Sequence, residues 1–248
     1  SAQGDFFVRQ AIAKDINNKF NVGLSEDNIY MTCGAAASLS ITLKAICNSG
    51  DECIVFAPFF TEYSVFIQNA DAKVVVSKPV DKTFEIDFED FIKKINKKTK
   101  AVIVNSPNNP SGVVYSEQTI IKLSEALKQK SIEFGSPIYL IADEPYRELV
   151  YDGVKVPYIM NYYDDTIVCY SFSKALSLPG ERIGYIAVNP KLSDAKDVYL
   201  AICGAGRSLG YVCAPSLFQQ VVKHCLNAKV NIKAYEENRD LLYSNLTM

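Results

Sequence analysis

Residues 166–185 read TIVCYSFSKALSLPGERIGY. The opening run, 166–170, is short, apolar and β-branched, the pattern of a buried strand. It ends in Ser171, Ser173 and Lys174. Arg182 follows eight residues after the lysine, just before a second apolar run at 183–188. A lysine among hydroxyls beyond a strand suits an amine that holds an aldehyde as a Schiff base. The hydroxyls and the guanidinium suit a phosphate on the same ligand, which arginine can grip bidentately. Pyridoxal phosphate carries both groups. A lone lysine is most often a solvated surface charge, so the reading depends on the rest of the chain.

Upstream, helix and strand patterns alternate. An amphipathic helix is expected over 4–20. A strand at 29–32 leads through Gly34 into an Ala/Leu-rich helix ending near 47, and Asn48-Ser49-Gly50-Asp51 makes a turn. A strand at 53–56 stops at Pro58. A helix over 61–69, a strand at 73–77, a helix over 87–98 and a strand at 101–104 follow. The polar loop NSPNNPSG occupies 105–112, and Ser116 is placed to cap a helix running to about 130. Strands are expected at 138–142, 167–170 and 183–188, and the remainder is mostly helical. Short apolar strands alternating with helices predict an α/β fold, a mostly parallel sheet flanked by helices. Such sheets bind ligands beyond the carboxyl ends of their strands, and each polar motif here lies just after a strand.

With 248 residues, 48% hydrophobic and 22% charged, the chain is long enough for one large domain. The net charge of −2 offers no footprint for nucleic acid. The lysines at 93, 94, 97, 98 and 100 follow a helical spacing and read as a solvated helix face. Seven cysteines, an odd number with no CxxC pair, point to a reducing, cytoplasmic setting. His224 is the sole histidine. No second cluster of ligands supports a metal there, and no GxSxG elbow supports serine hydrolase chemistry. No apolar run reaches membrane-spanning length and no signal peptide is present, so no membrane partner is expected. The first residues fall straight into a helical pattern and 234–248 is still helical, so both ends look cut and the chain reads as a fragment of a longer protein.

Four further segments carry chemistry. Asp143 follows the strand IYLIA; a carboxylate at that place needs a partner, and a protonated pyridine nitrogen is one. A turn or helix-cap aspartate is the plainer alternative. Asn109 in NSPNNPSG can hydrogen-bond a phenolic oxygen, although Asn-Pro is also a common turn. Cys33-Gly34-Ala35-Ala36 joins a strand to a helix, and its small residues let backbone amides approach a phosphate. It lacks the GxGxxG pattern of dinucleotide folds. Phe59 and Phe60 follow Pro58; one can stack on a flat ring, although paired phenylalanines are usually core.

Together, GDECIVFAPFFTEY, NSPNNPSG, IADEPYRELVYDG and SFSKALSLPGERIGY closely resemble the class I/II aminotransferases, the fold-type I enzymes that use pyridoxal phosphate. The resemblance covers essentially the whole chain as their large, cofactor-binding domain. It implies that Lys174 is the Schiff-base lysine and proton shuttle, and that Asp143 pairs with the pyridine nitrogen. Asn109 and Tyr146 then bond the ring oxygen. Ser171, Ser173, Arg182 and the amides of Gly34 and Ala35 hold the phosphate, and Phe60 stacks on the ring.

The resemblance also implies a division of the chain: 1–228 as the cofactor-binding domain without its N-terminal arm, and 229–248 as the start of a linker helix to an absent small domain. That domain carries the family's substrate-carboxylate arginine; Arg207 and Arg239 do not match it. The implied reaction moves an amino group between an amino acid and a 2-oxo acid, with aspartate-type or broad specificity as the default and a homodimer as the assembly. A β-lyase or decarboxylase of the same fold, or the aminotransferase-like half of a transcription regulator, remain alternatives. The fragment alone is expected to turn over poorly.

Overall fold

The computed structural model describes residues 1–246. One seven-stranded sheet runs through its centre. The strands are β1 Ile29–Thr32, β2 Glu52–Phe56, β3 Lys73–Ser77, β4 Thr99–Asn105, β5 Tyr139–Asp143, β6 Thr166–Ser171 and β7 Gly184–Val188, in the spatial order β1-β7-β6-β5-β4-β2-β3. The contacts from β3 through β6 are parallel. β7 runs antiparallel to both β6 and β1. The sheet is thus mostly parallel, as the sequence predicts, and each predicted strand lies within two residues of an observed one at either end.

The central strands are buried on both faces, which is why they read as continuous apolar runs rather than alternating ones. In β4, Val102 and Val104 join the core on one side while Ala101 and Ile103 join the other. The first side is covered by α1 Phe6–Phe20, α4 Phe88–Lys94, α5 Glu117–Phe134 and α8 Ser216–Cys225. The second is covered by α2 Ala35–Ile46, α3 Glu62–Asn69 and α7 Ala195–Ser208. Each large side chain enclosed in this way contributes roughly 1.5–3 kcal/mol.

Local chemistry sets the helix ends. Asp5 accepts from the Val8 amide at the start of α1, and Asn21 closes it in a left-handed conformation. Ser116 caps α5 as expected, its Oγ accepting from the Thr119 amide at 3.1 Å. That helix runs on to Phe134 and stops at Gly135, whose φ is 70°.

The helix expected over 87–98 is corrected: α4 ends at Lys94. The Asn96 side chain accepts from the Lys98 amide at 2.8 Å, and the Asn96 amide donates to Thr99 Oγ1 at 3.0 Å. This local bonding offers the backbone an alternative to the helix. Lys97 and Lys98 therefore sit outside the helix, and Lys100 lies on β4 with its Nζ 4.9 Å from the Tyr139 ring centre. Only Lys93 and Lys94 of that run lie on a helix.

A short helix, α6 Phe172–Ala175, follows β6, and α9 Ile232–Leu246 ends the described chain. The expected linker helix over 229–248 overlaps α9; residues 247 and 248 lie outside the described ones. Among the described residues no helix is long and apolar enough to cross a membrane.

Candidate active site

A cavity of about 340 Å³ opens beyond the carboxyl ends of β4, β5 and β6. Of the ten residues singled out from the sequence, all but Gly34 line it: Ala35, Phe60, Asn109, Asp143, Tyr146, Ser171, Ser173, Lys174 and Arg182. They come from segments more than a hundred residues apart. The parallel sheet brings them together because each follows the same end of a neighbouring strand.

Asp143 is the last residue of β5 and only 5% exposed. Its Oδ2 accepts from Tyr63 Oη at 2.5 Å, while Oδ1 has no partner. Burial pushes the carboxyl up to about 7, against the opposing pull of the Tyr63 hydrogen bond. A buried carboxylate with an orphaned oxygen is costly, and a cation within the cavity would offset that cost.

Asn105, at the end of β4, ties the neighbouring loops to this end of the sheet. Its Nδ2 donates to the Asp143 carbonyl at 2.8 Å and its Oδ1 accepts from the Asn109 amide at 2.7 Å. Asn109 Nδ2 in turn donates to Tyr146 Oη at 3.4 Å. Burial and the nearby Asp143 carboxylate raise the Tyr146 hydroxyl, and the Asn109 bond opposes them. Lys174 Nζ stands 5.7 Å from the centre of the Tyr146 ring. The amine therefore stands over the Tyr146 ring, and both line the cavity.

Ser171 caps α6: its Oγ accepts from the Ser173 amide at 3.2 Å and donates to Ser173 Oγ at 2.7 Å. Arg182 lies in the left-handed region at φ 50°, and its Nη1 donates to the Pro179 carbonyl at 2.9 Å. Gly34 is the N-cap of α2 with φ 89°, and a Cβ there would come within 2.8 Å of Arg182 Nη2. Gly184 packs just as closely: a Cβ on it would lie 2.3 Å from the Tyr170 carbonyl oxygen and 3.0 Å from Gly34 Cα. Two glycines thus let β7, the N-terminus of α2 and the Arg182 guanidinium converge. The result is a cup of hydroxyls, a guanidinium and helix N-terminal amides, suited to an anion.

Phe60 lines the cavity, whereas Phe59 stacks on Tyr63 at 6.4 Å between ring centres. Sequence reading missed Tyr63 and Asn105. Tyr63 follows Phe60 by three residues, at the start of α3, and nothing in that spacing points to the Asp143 carboxyl. Asn105 stands in NSPNNPSG, where Asn109 drew the attention. Neither Arg207 nor Arg239 lines the cavity; Arg239 pairs with Asp152 at 2.9 Å and with Asp240 at 2.8 Å.

Residues 2–248 match the family described as aminotransferase class I and II. An aspartate aminotransferase of Sulfolobus acidocaldarius is 29% identical over 256 residues, covering 99% of this chain and 60% of the relative. Among solved structures, an aminotransferase from Eubacterium rectale is 57% identical with a TM-score of 0.97, covering 100% of this chain and 62% of that one. Thermotoga maritima aspartate aminotransferase is 28% identical with a TM-score of 0.87, covering 99% and 64%. The chain spans about three-fifths of the length of the curated relatives it matches, 63%, 62% and 60% for the first three. A match over nearly every residue, joined to this fold and this order of motifs, leads to one conclusion: the chain belongs to the class I and II aminotransferase family.

Proposed function

We propose that this chain is the cofactor-binding part of an aminotransferase that uses pyridoxal phosphate to move an amino group between an amino acid and a 2-oxo acid. Residues 1–228 form the cofactor domain and 229–248 begin the connection to a further domain. The observation that carries the reading is the unpartnered, buried Oδ1 of Asp143 in the same cavity as Lys174. The residues present fit the cofactor: an orphaned carboxylate oxygen for a ring nitrogen, an amine for the aldehyde, and a cup of hydroxyls and guanidinium for the phosphate.

When bound, pyridoxal phosphate supplies an aldehyde to which amines add and a protonated ring that draws electrons from the adjoining carbon. Lys174 Nζ is the amine in the cavity that would hold the aldehyde, and it would serve as the base that moves a proton at the substrate carbon. Asp143 would keep the ring nitrogen protonated, and a cation opposite Oδ1 would draw its carboxyl back down. Tyr146 and Asn109 would hydrogen-bond the ring oxygen, and Phe60 would pack against the ring. Ser171, Ser173, Arg182 and the Gly34 and Ala35 amides would hold the phosphate.

Several relatives are named aspartate aminotransferases, which supports a dicarboxylic substrate. Phe6, Phe7, Tyr211, Val212 and Leu217 are exposed near the N-terminus of α1, the loop after α7 and α8. Contacts across these segments, from Asp5 to Gln219 and from Lys223 to Phe7, hold the patch together. This apolar surface supports a homodimer.

The test is a visible spectrum with added pyridoxal phosphate, then borohydride reduction and peptide mapping. The expected result is an absorbance band in the visible and a reduced adduct on Lys174, absent from Lys174→Ala. Adducts scattered over surface lysines, with no band, would sink the reading.

A further inference from the structure

Arg147 lies on the turn that carries Tyr146, yet points away from the cavity into a second polar cluster. It is 8% exposed and pairs with Glu144, which is 1% exposed. Its guanidinium carbon lies 5.2 Å from the Phe20 ring centre, 4.7 Å from Tyr158 and 5.3 Å from Tyr170. Its Nε has no hydrogen-bond partner, and a separate cavity of about 50 Å³ adjoins it. Glu148, next along the chain, accepts from Tyr170 Oη at 2.9 Å. Tyr170 stacks on Tyr185 of β7 with 4.9 Å between ring centres.

A buried ion pair is a poor source of net stability, because removing two charges from water costs about as much as their attraction returns. A cation caged by three rings and paired with a neighbour on its own turn is, however, a strong geometric constraint. The turn itself gains little from the sheet. Of the turn's backbone groups beyond Asp143 only the Glu144 amide bonds to β6, donating to the Cys169 carbonyl at 3.0 Å, and Leu149 closes back on Tyr146 at 2.8 Å. Tyr146 thus stands between two straps, Glu144 with Arg147 on one side and Glu148 on the other. Arg147 and Glu148 both reach Tyr170, and four residues after Tyr170 the chain arrives at Lys174.

We infer that Arg147 is a positioning residue. Seated in its aromatic cage, and with the Glu148–Tyr170 bond beside it, it registers the turn of Tyr146 against the end of β6 and so fixes the Tyr146 hydroxyl relative to Lys174 Nζ. The inference rests on the proposed function. It assigns a role in the reaction to a cluster that touches neither cofactor nor substrate.

The test loads the chain with pyridoxal phosphate and follows two readouts. One is the dissociation constant. The other is the pH midpoint of the visible absorbance of the cofactor held on Lys174. Arg147→Met, Arg147→Lys and Tyr170→Phe are compared with wild type. A displaced Tyr146 no longer donates to the ring oxygen, so in all three variants the midpoint rises by about half a pH unit or more. The dissociation constant rises by no more than about tenfold, the worth of the one ring bond lost, because the phosphate cup is untouched.

A merely structural role predicts a lower melting temperature with the midpoint unchanged, and that result overturns the inference. It is equally overturned if Arg147→Lys matches wild type while Arg147→Met shifts, since charge acting through space then suffices. If Arg147→Met does not fold, Tyr170→Phe decides alone: it alters no charge and cuts only the Glu148 strap. A wild-type chain that shows no visible band sinks the functional reading itself and the inference with it. A wild-type band with unshifted variants sinks only the inference.

Discussion

Tyr63 Oη donates to Asp143 Oδ2 across 2.5 Å, and no other side chain among the described residues bonds to that carboxyl. Tyr63 is 1% exposed on α3, and burial together with the Asp143 carboxylate raises its hydroxyl well above the usual tyrosine range. The phenol therefore stays protonated and acts as a fixed donor. It is the sole group that lowers the Asp143 carboxyl against burial. Tyr63→Phe removes that donor at almost constant volume. A hydrogen bond to a charged group contributes about 1.5–3 kcal/mol, so pyridoxal phosphate affinity should fall by roughly ten- to a hundredfold. A fluorescence titration reads it; an unchanged dissociation constant would show that Asp143 holds its charge without Tyr63.

The Asp143 carboxyl titrates at about 7 in the folded chain, compared with 3.8 for an unperturbed aspartate. Between those values the folded chain keeps a proton that the unfolded chain releases. Raising the pH through that window therefore destabilises the cofactor-free fold, by an amount on the order of 4 kcal/mol at most for a shift of this size. Asp143→Asn removes the ionisation. In chemical denaturation without cofactor, the stability difference between wild type and Asp143→Asn should widen in favour of Asn from pH 4 to pH 7. Pyridoxal phosphate should close the gap, because a cation beside Oδ1 favours the carboxylate. A difference that stays flat with pH would mean that water reaches Asp143.

The central strands were legible because each is buried on both faces and reads as a compact apolar run, bounded by glycine, proline or a polar motif. The cavity residues were legible because the parallel sheet places its strand ends side by side, so motifs following β4, β5 and β6 had to meet. Lys97 and Lys98 misled because helical spacing says nothing about the Asn96 side chain, whose local bonds end α4 early. Tyr63 and Arg147 were hidden for a related reason. Their roles depend on partners 80 residues away or on three rings from separate elements, and no local pattern reports such partners. The antiparallel placement of β7 was equally silent in its sequence, since a strand buried on both faces has the same composition in either direction.

Gly34 offers a test that separates the phosphate cup from the rest of the site. Its φ of 89° disfavours any side chain, and an added Cβ would lie 2.8 Å from Nη2 and 3.2 Å from Cζ of Arg182. In Gly34→Ala the guanidinium has to move, and its bond to the Pro179 carbonyl limits where it can go. Asp143, Tyr146 and Lys174 are untouched, so ring recognition and the amine persist. Pyridoxal phosphate should bind about ten- to a hundredfold more weakly, the worth of one charge-assisted phosphate contact. Pyridoxal, which lacks the phosphate, should bind the variant within about twofold of wild type. Equal losses for the two ligands would mean that the substitution disturbs the whole end of the sheet through Gly184, and that Arg182 is not the group Gly34 makes room for.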